Sequence, residues 1–420
     1  MTTRLLMTAD AVGGVWQYAT ELARALVPHG VETVIAVLGP APSGAQLAEF
    51  TAPSSPRTCS GVHRRAEAPA ASHAQRWMPE QVRHDGKSGP GVQVIHTDLP
   101  LDWLSDGPDP VLAAGRAVAD LARDVRADIV HLNSPALAAG GAFDRPVVAV
   151  AHGCVATWWR AAHGCEPDPA YRWQADLQRR GLLAADAAVA PSASFAADLQ
   201  RTYALPHAPL AVHNGRSSPS LLRGEGADPG LELGEAGEGR CETPTAEPAP
   251  HALTAGRLWD RVKHTAVLDR AAARLSVPLR AAGPVTGPHG ETVSPEHLHL
   301  LGNLSAADLA AELARRPVFV SAAGFEPFGL AILEAAQAGC ALVLSDIATF
   351  RELWDGAALF VPAKDDAIAD AIEALLADPA GRAALGEAAQ ARAARYTPDA
   401  TAAAMAVLYA RLLATRRAAA

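Results

Sequence analysis

The sequence predicts two Rossmann-like α/β domains, each a doubly wound parallel sheet, facing one another across a central cleft. Three observations carry that expectation. Short apolar runs alternate with helical stretches, and the same pattern resumes after a break in the second half of the chain. At 420 residues the chain is also too long for one core, because single cores stop growing at about 250 to 300 residues. A composition of 49% hydrophobic and 19% charged residues is an ordinary globular balance.

The first series runs RLLMTA (4–9), VETVIAVLG (31–39), DIVHLN (128–133), PVVAVAHG (146–153), AAVAPS (187–192) and LAVHNG (210–215). Brief strands separated by longer helical segments are the signature of parallel sheets with crossover helices. The second series runs HALTAGRL (251–258), VPLRAAGP (277–284), HLHLLG (297–302), PVFVSA (317–322), CALVLSD (340–346) and AALFVP (357–362). The expected division is a first domain over 1–215, a linker over 216–250 and a second domain over 251–398. The linker reading rests on RGEGADPGLELGEAGEGRCETPTAEPAP (223–250), whose Gly, Pro and Glu cannot bury enough apolar surface to offset ordering. Residues 52–90, rich in Pro, Ser and His, read as a long surface loop. RYTPDATAAAMAVLYARLLATRR reads as an amphipathic helix beginning after Pro398, with Met405, Leu408 and Leu412 as a core stripe.

Charge and composition exclude several classes. A formal net charge of −9 and no basic block longer than two residues argue against a nucleic-acid partner. The cysteines Cys59, Cys154, Cys165, Cys241 and Cys340 lack metal-ligand spacing, so no metal site is expected and a reducing, cytoplasmic home is the simplest. No apolar run reaches the length of a membrane span, and the opening apolar run is too short for a signal peptide. Peripheral membrane contact stays open, although Arg179-Arg180 and Arg416-Arg417 are too small to argue it.

Open α/β sheets bind ligands beyond the carboxyl ends of their strands. After the first strand comes AVGGVWQYATELARAL, in which Gly13 and Gly14 permit close backbone approach ahead of a helix beginning near Val15. A GG turn serves structure as readily as ligand binding, but this one sits at the first strand-to-helix junction. It is not a dinucleotide fingerprint, because the acid expected about 20 residues on is missing. His152 follows the apolar run VVAVA and precedes Gly153, which favours the cleft over the core. His131, in DIVHLN before Asn133, reads either way.

In TAGRLWDRVKH, Arg257 and Lys263 follow the first strand of the second half. They form a clamp suited to a diphosphate, or else ordinary surface charges at a helix start. GFEPFGLAILEAAQAG then sets Glu326 and Glu334 with seven residues between them around a glycine turn. The amides of Phe328, Gly329 and Leu330 would lie at a helix N-terminus. Glu326 before the helix and Glu334 within it can each accept hydrogens from sugar hydroxyls. A ligand with hydroxyls at both ends and phosphates between is a nucleotide sugar.

These residues resemble the retaining GT-B glycosyltransferases of family 4, the group 1 or glycogen-synthase-like enzymes. The resemblance spans GGV near the start, His152, PSASFAADL (191–199), HNG (213–215), AGRLWDRVKH (255–264), AGP (282–284), LGNLS (301–305) and the paired glutamates. It implies that Arg257 and Lys263 contact the donor diphosphate and that Glu334 holds the nucleotide ribose. Glu326 and the amides after Phe328 would bind the transferred sugar, His152 would contact that sugar near its reacting centre, and Gly14 would lie beside the donor phosphates and acceptor. The spacing from Arg257 to Lys263 is one residue longer than in many members. The resemblance further implies a UDP- or GDP-sugar as donor, a carbohydrate, lipid-linked or small-molecule acceptor, retention of configuration, no metal or other cofactor, and a terminal helix (399–420) crossing back onto the first domain. A sugar-nucleotide epimerase, a disaccharide phosphorylase and a non-catalytic carbohydrate-binding relative are the alternatives on this fold.

Overall fold

The computed structural model describes residues 2–48, 88–89, 91–217 and 251–419. The expected surface loop over 52–90 and linker over 216–250 lie outside the described residues, apart from Ser88, Gly89, Arg216 and Ser217.

The first domain runs β1 (Thr3–Asp10), α1 (Gly14–Leu26), β2 (Val31–Leu38), α2 (Gly44–Ala48), β3 (Ser88–Gly89), β4 (Val92–His96) and α3 (Pro108–Asp124). It continues through β5 (Ile129–Leu132), β6 (Val147–Val150), α4 (Val155–His163), α5 (Arg172–Ala184), β7 (Ala187–Ala190), α6 (Ala193–Tyr203) and β8 (Leu210–Ala211). The second runs β9 (Ala252–Ala255), α7 (Thr265–Ala272), β10 (Leu279–Ala282), β11 (His299–Gly302), α8 (Ala306–Leu313), β12 (Val318–Ser321) and α9 (Leu330–Gln337). After it come β13 (Leu342–Ser345), α10 (Ala348–Trp354), β14 (Leu359–Val361), α11 (Asp365–Ala377), α12 (Pro379–Ala393) and α13 (Pro398–Ala419).

Strand order is β3-β4-β2-β1-β5-β6-β7-β8 in one sheet and β11-β10-β9-β12-β13-β14 in the other. Every pairing is parallel except β3 with β4. In each sheet the first long strand has its successors on both sides, so order reverses between β1 and β5 and between β9 and β12. Such reversals leave a crevice at the strands' carboxyl ends. The paired glutamates, the GG turn and the two cationic residues all follow strands that flank these crevices.

Alternation along the strands divides the cores. In β1, Leu5 and Met7 face α1 and α13 with Trp16, Leu22, Met405 and Tyr409, while Leu6 faces α3 with Val118 and Leu121. In β12, Phe319 packs among α9, α10 and α12, and Val318 and Val320 pack toward α7 and α11. Each large side chain so buried contributes about 1.5–3 kcal/mol. α13 follows the second domain yet lies on the first, with Met405 wholly buried and Leu408 and Leu412 packed beside it. Its return places two passages between the domains side by side: Thr401 Oγ1 donates to the His213 carbonyl at 2.8 Å, and a Cβ on Gly215 would stand 2.1 Å from the Thr397 backbone.

Candidate functional site

The crevice of the second sheet holds Lys263, after β9, against Glu326, after β12, with Nζ 2.5 Å from Oε2. Arg257 instead pairs with Asp260 at 2.9 Å, its side chain 61% exposed and its guanidinium 5.6 Å from the Trp259 ring centre. The two cations expected as one diphosphate clamp are thus each occupied by a separate carboxylate. Asp260 is 2% exposed, and it also accepts from the Trp158 indole N–H of α4 at 2.9 Å, which joins the domains. His264, absent from the expected set, takes a left-handed conformation and its Nδ1 lies 2.9 Å from the Ala322 carbonyl.

The helix after Glu326 begins just past the glycine. α9 opens at Leu330, and Gly329 caps it with φ of 93°, a left-handed geometry that glycine adopts without Cβ strain. Phe328 and Gly329 therefore precede the first helical turn, whose intrahelical bonding begins with Leu333 N–H to the Gly329 carbonyl. The Phe328 ring is buried against Tyr396. Leu330 does sit on the first turn, where its Cδ1 lies 3.2 Å from where a Cβ on Gly14 would be, so the GG turn of one domain abuts this helix of the other.

Glu334 is 8% exposed and pairs with Arg216 at 2.6 Å. The same guanidinium reaches Glu21 of α1 at 3.0 Å. Arg216, expected at the start of the linker, is a partly buried cation held by one acid from each domain. Burial pushes the Glu21 carboxyl up from its ordinary value, partly offset by Arg216. A second bridge is Glu352 of α10, which accepts from the Ala193 and Ser194 amides at the start of α6. Burial alone would raise its carboxyl, but the hydrogen bonds from His213, Ser194 and Ala193 hold it down at about 2.

On the first domain, His152 is partly exposed and its ring meets Tyr18 edge-on at 4.6 Å. Its Nε2 lies 2.8 Å from Asn133 Oδ1. His131 is wholly buried, beside Met7 in the sheet, with Nε2 3.0 Å from the same oxygen and Nδ1 2.6 Å from the Tyr409 hydroxyl. Burial holds His131 down to about 4; burial and then the neighbouring His131 hold His152 down to about 3. Asp10, before the GG turn, has its carboxyl raised by burial, with Asp102 raising it further and Arg257 lowering it. Sequence reasoning passed over Asp10, Asn133, Trp158, Asp260 and Tyr409. Asp10 and Asn133 sit at strand ends, the one positional signal that could have found them.

Two facing doubly wound domains with their switch-point crevices opposed define a GT-B architecture. Residues 12–215 match Glycosyltransferase Family 4, and residues 291–392 match Glycosyl transferases group 1. The chain belongs to the group 1 GT-B glycosyltransferases. Its fold is similar to that of a sucrose-phosphate synthase from Thermosynechococcus elongatus, with a TM-score of 0.68 and 18% identity over 98% of this chain and 100% of that one. The HepE protein of Anabaena in complex with UDP-glucose gives 0.63 and 15% over 97% and 99%. A UDP-forming α,α-trehalose-phosphate synthase from Burkholderia vietnamiensis gives 0.61 and 13% over 98% and 100%. No curated protein matches the sequence. Among the described residues, no helix is long and apolar enough to cross a membrane.

Proposed function

We propose that the protein is a retaining glycosyltransferase that moves a sugar from a nucleoside diphosphate, a UDP-sugar before a GDP-sugar, to a carbohydrate, lipid-linked or small-molecule acceptor. The observation that carries this reading is the Lys263–Glu326 pair at the reversal between β9 and β12, with Glu334 one helix away. Structural neighbours crystallised with UDP and UDP-glucose support the choice of uridine. A diphosphate entering the crevice would take Lys263 from Glu326 and draw on the exposed Arg257, leaving Glu326 free to accept from the transferred sugar's hydroxyls. Departure of the diphosphate builds negative charge on the leaving oxygen and positive charge at the anomeric carbon. Preorganised cations stabilise the former without moving, so this reading needs no metal or resident cofactor. The acceptor would approach from the first domain, past Asp10, Gly14 and His152. The free thiols of Cys154, Cys165 and Cys340 fit a reducing, cytoplasmic setting.

Calorimetric titration of UDP, GDP, ADP and their sugar conjugates into wild type, Glu334→Ala and Glu326→Ala tests the reading. Glu334→Ala should weaken nucleotide binding by about 1–3 kcal/mol, the cost of one lost hydrogen bond to a buried hydroxyl. Glu326→Ala should leave nucleotide affinity nearly intact and impair sugar turnover. Equal losses of nucleotide affinity in both variants would overturn this division of labour, and no binding by folded wild type would overturn the donor assignment.

A further inference from the structure

Asn133 stands between two histidines, and its own orientation is fixed. Its backbone N–H donates to Thr8 Oγ1 at 2.9 Å and its side-chain amide N–H donates to the Thr8 carbonyl at 2.6 Å. A backbone carbonyl has no hydrogen to give, so the amide nitrogen must face Thr8 and Oδ1 must face the two rings. An amide oxygen only accepts. With His131 Nε2 at 3.0 Å and His152 Nε2 at 2.8 Å from that oxygen, each ring must carry a hydrogen on Nε2. A neutral imidazole carries one such hydrogen, which leaves Nδ1 of both rings bare. At His131 the bare nitrogen accepts from the Tyr409 hydroxyl at 2.6 Å.

We propose that Asn133 locks His152 as the Nε2–H tautomer, with His131 and Tyr409 as positioning residues, so that His152 meets its ligand through an acceptor-only Nδ1. The group it takes is then a hydroxyl, of the kind a neutral sugar presents, and not a carboxylate or phosphate oxygen. His152 Nδ1 makes no hydrogen bond among the described residues. The groups packed around the ring keep it uncharged. Tyr18, from α1, meets the His152 ring edge-on, His131, from β5, shares Asn133 with it, and Tyr409, from α13, lies beyond His131; burial pushes both phenols well above their ordinary range, so each stays a protonated, neutral group. The network also gives α13 a role beyond packing, since its Tyr409 reaches the cleft histidine through two intermediates.

The identity of the ligand rests on the glycosyltransferase reading, but the tautomer does not, and the test separates them. Histidine-¹⁵N spectra of the full-length protein, assigned with His152→Gln and His131→Gln, should show His152 with one bare and one protonated nitrogen, unchanged between pH 5.5 and 7.5 (about one unit either side of the ordinary histidine value). Hydrogen on Nδ1, or a titration near that ordinary value, would overturn the lock. Asn133→Asp replaces the amide with an anion that favours imidazolium and should raise the proton affinity of His152 at least about tenfold; no change would show that Asn133 does not govern the ring. With UDP-glucose bound, a hydroxyl donating to Nδ1 should move the resonance of the bare His152 nitrogen and leave that of its protonated nitrogen, held by Asn133, in place. No movement of the bare nitrogen's resonance with UDP-glucose bound would overturn the acceptor-only contact, whereas failure of UDP-glucose to bind would count against the donor assignment and leave the spectra of the free protein to decide the lock.

Discussion

Arg216 joins two acids that come from opposite domains, and both are too deeply placed to rely on water. Removing one partner of a buried ion pair leaves an uncompensated charge, which costs about 3–5 kcal/mol. Arg216→Ala should therefore lower stability by that order, read as a shift in the urea midpoint, and an unchanged midpoint would show that Glu21 and Glu334 find other partners. The position was not legible in the sequence. Composition is read over a window, and the window that begins at Arg216 is dominated by Gly, Pro and Glu. What fixes Arg216 is contact with residues 21 and 334, which no local pattern encodes. By contrast, His152 was legible because it follows an apolar run directly, and Lys263 and Glu326 because they lie in the loops that leave β9 and β12; a polar residue just past a parallel strand has few places to point except the crevice. That Lys263 would close on Glu326 was not legible, because pairing across two loops depends on how adjacent strands end.

Among elements, the alternation of buried runs and helices was readable wherever a strand had both faces covered, as in β1, β12 and β13. β4 escaped notice. Its VQVIH core carries a glutamine and a histidine and emerges from the polar stretch ending near residue 90, so neither periodicity nor a clean apolar run announces it. At α9, Gly329 caps the helix in a conformation that only its φ reveals. α13 was read as amphipathic, and its stripe does enter the first core. Met405→Ala should cost about 2–5 kcal/mol, the range for truncating a buried methionine, measured by thermal or urea unfolding. A loss below about 1 kcal/mol would mean that α13 packs loosely on α1 and could not hold Tyr409 in register.

For the whole molecule, Glu352, His131 and His152 make stability fall with acid, and the raised carboxyls of Asp10 and Glu21 oppose them. The folded Glu352 carboxyl, at about 2, lies below its ordinary 4.5, so the stability it contributes is present above pH 4.5 and is lost as pH falls toward 2. His131 and His152, held at about 4 and 3, lie below the ordinary 6.5. The unfolded chain takes up protons at these two sites below pH 6.5 while the fold does not, so stability erodes from 6.5 downward. All three act in one direction, each by up to about 1.4 kcal/mol per pH unit inside its window. The difference in urea midpoint between wild type and a His131→Gln, His152→Gln double variant, measured from pH 8 to 4, should stay level to about 6.5 and then fall; a difference that holds level down to pH 4.5 would contradict the placement of the two histidines. The same molecule has a mechanical property set by its two crossings. Gly215 lies against Thr397, and the neighbouring Arg216 N–H donates to the Tyr396 carbonyl at 3.2 Å, so the threads joining the halves are laid together like the spine of a book. Two threads bound along one edge would make that edge the pivot of any rotation between the halves. Travel is least at the spine and greatest at the fore-edge, so a small rotation registered at Arg216 becomes a larger excursion wherever the facing surfaces lie farther from it.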